Sequence, residues 1–243
     1  YDIATDRSRK VLEDGRIGDL TWDRSDGSLW GIRHDAGFAS IVRVPDPLVE
    51  WDLVHTFDFW TVPFDLDVSP DGSRVSYSVL DPSGQTELRV VERDSLLAGS
   101  TEPMARLDFG TTAPMNFTFD ETGDKLYGSS YLTGVSNIFT FEPDSARWEA
   151  LSNVETGVFR PIPTGNDSLI VFEYTGEGFV PARMEGKALE DIAATLLFGD
   201  RIRDRYPELD DWVVGSPREV PIDSLTTYRG EYHARGGVEF ESI

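Results

Sequence analysis

The 243-residue chain contains no cysteine, which rules out disulfides, thiolate nucleophiles and Cys-ligated zinc and leaves the redox compartment open. Its three histidines, His34, His55 and His233, stand far apart with no HxH or HExxH spacing, so the sequence writes no histidine metal site. Basic residues are scarce. Lys plus Arg number 22 against 44 Asp plus Glu, a net charge of −22, which opposes binding to a nucleic-acid backbone or an anionic membrane surface. Such a surplus is first of all a solvated acidic surface, as in extracytoplasmic or salt-adapted proteins. No start methionine, signal peptide or apolar run of membrane length occurs, so direct membrane insertion by this stretch is not expected. No Gly-x-Ser-x-Gly elbow is present, and any peptidase chemistry would have to come from a catalytic domain outside this chain.

What is present is a repeating turn. Asp120 to Phe141 reads as a turn, a strand from Leu126, a second turn at Thr133-Gly134-Val135 and a strand, Asn137 to Phe141, that alternates polar with apolar. The unit is a β-meander, and earlier stretches copy it. Asp19-Leu20-Thr21-Trp22 precedes the turn ending at Gly27; Asp65-Leu66-Asp67-Val68 precedes Ser69-Pro70-Asp71-Gly72; Asn116-Phe117-Thr118-Phe119 precedes Asp120-Glu121-Thr122-Gly123. The spacings, 72 − 27 = 45 and 123 − 72 = 51 residues, suit a four-stranded propeller blade of about 40 to 50 residues. A weaker fourth copy runs through Arg160-Pro161-Ile162-Pro163-Thr164 and turns at Gly165-Asn166-Asp167. The opening Tyr1-Asp2-Ile3-Ala4 and Lys10-Val11-Leu12 read as strands three and four of a further blade, so the chain is expected to begin inside a larger protein.

These readings make residues 1–185 an all-β, partial β-propeller of about three and a half blades. An open arc exposes apolar blade faces at both ends, so further blades outside the chain, or a partner, would complete the ring. Residues 186–243 read differently: Leu189 to Phe198 has helical apolar spacing with Gly199 as its stop, and Asp200 to Ile243 is a charged, proline-bearing strap.

In a propeller the innermost strands line the channel. Strand periodicity puts Leu20 and Trp22, Leu66 and Val68, and Phe117 and Phe119 on one face, and Asp19 and Thr21, Asp65 and Asp67, and Asn116 and Thr118 on the other. Asp19, Asp65, Asp67 and Asn116 are therefore candidate binding residues at the channel mouth. Asp19 and Asp65, with Asn116, would offer oxygen ligands to calcium; the competing reading is that these groups bond neighbouring blades or meet channel water. Asp23, Asp26, Asp71, Asp120 and Asp124 read as turn formers, and Phe57, Phe59, Trp60 and Phe64 as blade-to-blade packing.

Val68-Ser69-Pro70-Asp71-Gly72-Ser73-Arg74-Val75-Ser76-Tyr77 resembles the repeat of TolB-like, WD-like β-propellers, as does the Tyr127 to Phe139 stretch with its glycine turn and Asn137-Ile138-Phe139. Only the second copy keeps Pro-Asp-Gly; the first and third have Ser-Asp-Gly and Glu-Thr-Gly. The resemblance implies a propeller segment of a larger bacterial protein in the periplasm or cell envelope, acting as a non-catalytic binding or scaffolding module for a protein or peptide partner or for other domains of its polypeptide. The tail after residue 188 is similar to connectors that join such propellers to an outer-membrane barrel. The alternative is a propeller hydrolase, lactonase-like with a divalent metal or peptidase-associated, and a propeller that gates such a domain is a third form.

Overall fold

A computed structural model describes residues 3–8, 10–110, 112–189, 202, 205–211, 221 and 224. Four antiparallel sheets follow one another along the chain. Blade 1 consists of β1 (Ile17–Asp23), β2 (Ser28–Asp35), β3 (Phe38–Val44) and β4 (Asp52–Thr56). Blade 2 consists of β5 (Val62–Val68), β6 (Arg74–Leu80), β7 (Thr86–Glu92) and β8 (Ala105–Leu107), with a short helix, α1 (Arg93–Leu97), between its last two strands. Blade 3 holds β9 (Met115–Phe119), β10 (Leu126–Ser130), β11 (Asn137–Glu142) and β12 (Arg147–Ala150). Blade 4 has three strands, β13 (Val158–Pro163), β14 (Ser168–Thr175) and β15 (Gly178–Glu185). Each blade is a meander, and β1, β5, β9 and β13 pack against one another in succession as the inner wall of a propeller.

The core lies between the sheets. Blade 1 sends Trp30, Ile32 and Ile41 against Leu66, Val68, Val75 and Tyr77 of blade 2, with Phe57 from the connection and Leu96 from α1 in the same cluster. Leu88, Val90, Ala105 and Leu107 of blade 2 meet Phe117, Phe119, Leu126, Phe139 and Phe141 of blade 3. Tyr127 and Ile138 of blade 3 meet Leu169 and Val171 of blade 4. Blades 2 and 3 thus pack apolar residues on both faces, the condition for stacking blade on blade. The aromatic run divides: Phe57 is buried and meets Tyr77 edge-on at 5.6 Å, Phe59 and Phe64 are half-buried, and Trp60 is exposed.

The repeated turns account for their own sequence. The amides of Gly27, Gly72 and Gly123 bond back to Asp23, Ser69 and Asp120 with the glycines at φ +72°, +73° and +80°, where a Cβ is strained. Asp23, Asp26, Asp71 and Asp120 accept bonds from nearby amides as expected of turn formers, whereas Asp124 is exposed and offers its own amide to Asp120. The hydroxyl of Ser69, with the bonds from Ser73, holds the Asp71 carboxyl down at about 2. Each turn also lies on the one before it: a Cβ on Gly72 would collide with Ser25, and one on Gly123 would stand 3.5 Å from Ser69 and Pro70.

Inside the blades Gly128 has a different task. Its φ is ordinary, but a Cβ there would enter the Phe117 ring, which packs flat across the strand. Gly128→Ala is therefore expected to cost about 1 to 3 kcal/mol by overpacking. A shift of the urea midpoint measures it, and an unchanged midpoint would show that the ring can move aside.

One sequence expectation changes. Residues 3–6 form a turn, Arg7 makes an isolated bridge and residues 10–12 are in no strand, because no neighbouring sheet offers them ladder partners; Tyr1 and Asp2 lie outside the described residues. The helix expected from Leu189 to Phe198 falls, after Leu189, outside the described residues, as does His233. Past β15 the chain turns back toward blade 3, the Leu189 amide bonding the Ala150 carbonyl at 2.9 Å, so it builds no outer strand on blade 4 there.

Candidate functional site: the channel wall and its funnel

All four inner strands break register once against their neighbours, at Gly18/Thr21, Phe64/Asp67, opposite Tyr127/Ser129, and at Phe159/Ile162. The extra residue at each break is Asp19, Asp65, Asn116 or Arg160, and each has positive φ, +45°, +54°, +53° and +49°. These are β-bulges. Asp and Asn tolerate the left-handed region better than other side chains, which gives three of the four columns a conformational reason for the residue they carry.

The bulges of blades 2 and 3 meet across the seam between them. Asp65 Oδ2 accepts the Asn116 amide at 2.6 Å and Oδ1 accepts Asn116 Nδ2 at 2.9 Å. Two residues on, Asp67 joins three blades: Oδ1 accepts the Thr21 hydroxyl at 2.8 Å, while Oδ2 accepts the Thr118 hydroxyl and the Phe119 amide, both at 2.8 Å. Asp65, Asp67 and Asn116 are thus committed to the seams between blades. Asp19 remains exposed at the free side of blade 1, and Arg160 is exposed at the corresponding place in blade 4.

Burial pushes the Asp65 carboxyl up, partly offset by its bonds from Asn116; the Asp19 charge adds to the rise and the Arg160 charge opposes it. With the folded value above the unfolded one, protonated Asp65 favours the fold: its contribution is full below the usual carboxylate range and is lost as pH rises through the raised value. A carbon-detected titration of the Asp65 carboxyl should therefore place it above an ordinary aspartate. Arg160→Ala should move it further up and Asp19→Asn should move it down. A carboxyl that ignores both substitutions would show that the bulges do not share one field.

The ring does not fit calcium. Both Asp65 oxygens already accept hydrogen bonds and the fourth bulge supplies a guanidinium, whereas calcium takes about six to eight oxygen ligands. Among the described residues no three His, Asp or Glu side chains gather as a metal site.

Downstream of the bulges the wall opens into a funnel of about 250 Å³ at the turn end of the channel, lined from all four blades. Trp22, Pro70, Ile162 and Pro163 provide apolar surface, Asp67 and Thr118 form the hydrogen-bonded floor, and Arg24 and Glu121 stand at the rim. Trp22 and Ile162 are each about half exposed. Among the candidate residues named from sequence, Asp67 alone lines this funnel; Arg24, Pro70, Glu121, Ile162 and Pro163 were missed. Their position next to the aligned turns was the available signal. His34 is exposed at the end of β2 and His55 stands against Phe57 at 4.8 Å, far from the funnel.

No protein-family model matches the sequence, and no curated protein matches it. Solved structures do. TolB from Acinetobacter baumannii superposes with a TM-score of 0.57 at 12% identity, over 70% of this chain and 41% of that one. A putative TolB from Agrobacterium tumefaciens gives 0.52 at 17%, over 69% and 62%. Puromycin hydrolase gives 0.50 at 12%, over 68% and 27%. The chain therefore spans less than two thirds of each TolB chain, and the likeness establishes the β-propeller fold.

Proposed function

We propose that this chain is a non-catalytic binding and scaffolding module of a bacterial cell-envelope protein, and that its turn-end funnel receives a protein or peptide partner. The observation that carries this reading is the division of labour in the funnel. The polar groups of its floor are consumed by bonds between blades, which makes the wall rigid, while Trp22, Pro70, Ile162 and Pro163 keep apolar area for a ligand. A rigid concave site with an aromatic anchor and charges at the rim is suited to recognition by shape and apolar burial. Placement in the envelope is supported by the resemblance of the repeats to TolB-like propellers and by the acidic surface; among the described residues no helix is long and apolar enough to cross a membrane.

A photo-crosslinking amino acid at Glu121, on the funnel rim, tests the reading against the same probe at Glu102, on the outer edge of blade 2. In native cells the rim probe should give a discrete adduct that Trp22→Ala and Ile162→Ser abolish. Identical adducts from both probes, or none from the rim, would overturn it. The second reading, a propeller that accompanies a hydrolase domain, is supported by the likeness to puromycin hydrolase and would place that domain over the same funnel. In that case the rim adduct would be intramolecular.

A further inference from the structure

The repeat places one residue of each blade at the edge of the funnel. Asp23, Ser69, Asp120 and Thr164 pair with Ser28, Arg74, Lys125 and Ser168 on the last rung before each turn, so the residues that follow, Arg24, Pro70, Glu121 and Gly165, share one column. The first three line the funnel, and a Cβ on Gly165 would stand 3.4 Å from Glu121 Oε2. From blade 1 to blade 4 the column runs basic, apolar, acidic, uncharged. Because blade 2 packs against both blades 1 and 3, Pro70 separates Arg24 from Glu121.

The charged residues that line the funnel are Arg24, Asp67, Asp120 and Glu121. Asp67 commits both oxygens to Thr21, Thr118 and the Phe119 amide, and Asp120 commits its carboxylate to its own turn, to the Thr122 hydroxyl and the amides of Gly123 and Asp124. Charges just behind the rim are matched as well: Asp26 with Arg43 and Arg93, Arg74 with Asp144, Lys125 with Glu142. Arg24 and Glu121 differ. Both are exposed, and among the described residues neither has a side chain of opposite charge within ion-pair distance.

We infer that the funnel takes an extended segment of a partner protein in which an apolar residue has an acidic residue on one side and a basic residue on the other, the acid lying at Arg24 and the base at Glu121. This rests on the reading of the funnel as a peptide site and adds the charge of the ligand and the way it lies. The apolar residue fills the space between Trp22, Pro70 and Ile162, while the two exposed charges select an orientation more than they add affinity. Lying the other way, the segment would set its acid against Glu121 and its base against Arg24. A segment with two basic flanks is drawn by the net charge of −22 but meets Arg24 at close range.

Selection of a displayed library of random nonapeptides on the immobilised chain tests this, at about 0.15 M salt, where charges beyond about 8 Å are screened. Sequences whose enrichment is lost on Trp22→Ala and on Ile162→Ser are funnel ligands, and they should carry one acidic and one basic residue on opposite sides of an apolar anchor. Arg24→Glu should shift the enriched set to two basic flanks and Glu121→Arg to two acidic flanks, while the double variant should return the mixed set. Both positions are exposed and unpaired, so the variants should fold. One synthetic peptide from the wild-type set, titrated by calorimetry, should bind about fivefold more weakly to either single variant. Funnel ligands without a charge preference, or with the same flanks on all four proteins, would overturn the inference and leave the peptide site standing. If no funnel-dependent sequence is enriched, the peptide site and the inference fall together.

Discussion

Replacing Arg93 by alanine is expected to lower the unfolding free energy by about 3 kcal/mol, toward the lower end of the cost of breaking a buried ion pair. Asp23, in the turn of blade 1, has no exposed surface, yet it carries a carboxylate. That carboxylate accepts the Ser25 amide at 2.9 Å, the Ser25 hydroxyl at 2.6 Å and, from blade 2, Arg93 Nη1 at 2.7 Å. The same guanidinium reaches Asp26 at 3.3 Å and Ser25 Oγ at 3.1 Å. Its removal strips the only cation within ion-pair distance of Asp23 among the described residues and leaves the charge dependent on two neutral donors. The vacated space admits some water, which is why the lower end of the range applies. Arg93→Lys should recover part of the loss, since one ammonium cannot span Asp23, Asp26 and Ser25 as a planar fork does. The urea midpoint reports both changes, and a loss below about 1 kcal/mol for alanine would mean the pair behaves as a surface bridge and does not hold the two blades.

The contact also shows where sequence reasoning stops. The turns of blades 1 to 3 were legible because a turn with positive φ needs glycine and a carboxylate to cap its amides, and both leave a mark at fixed offsets. The apolar columns of the inner strands were legible for the same reason, being in register with those turns. Arg93 and Asp23 lie 70 residues apart and nothing local couples them; their meeting is a product of stacking one blade on the next. The bulges fall between these cases. Strand periodicity assigns Asp19, Asp65 and Asn116 to the channel side, but an inserted residue leaves no trace in a two-residue period beyond a side chain that tolerates positive φ. Arg160 lacks even that trace, and it escaped notice as a member of the ring. The α1 helix is too short, at five residues, to show a helical period. The competing reading of the aspartates, bonds between blades, is the one the geometry supports for Asp65 and Asp67: Asp65 is the extra residue and bonds Asn116 of blade 3, while Asp67, back in register with Ser76, accepts from Thr21 and Thr118 of the blades on either side.

Asp67→Ala should be comparably damaging, about 2 to 4 kcal/mol, and should act on cooperativity as well as on stability. Its carboxylate is the single acceptor for donors from blades 1 and 3, so alanine leaves three donors without a partner. The hydroxyls of Thr21 and Thr118 are half-buried at the funnel and can turn toward water, at little cost. The amide of Phe119 cannot, because Phe119 is packed between sheets with only 6% of its surface exposed. An orphaned buried amide costs about 1 to 3 kcal/mol, and the lost charge-assisted bonds supply the remainder. Asp67→Asn separates charge from hydrogen bonding: its carbonyl oxygen can still accept from Phe119, and its amide group can donate to a threonine hydroxyl, so the expected loss is less than half that of alanine. The two variants differ further in how the chain unfolds. In a stack where each blade touches only its neighbours, cooperativity depends on the seams, and Asp67 ties blade 2 to both sides at once. Alanine should therefore lower the denaturant slope or split the transition, while asparagine should preserve a single transition with the slope of the parent protein. A single transition of unchanged slope in the alanine variant would show that apolar packing between sheets carries the coupling alone.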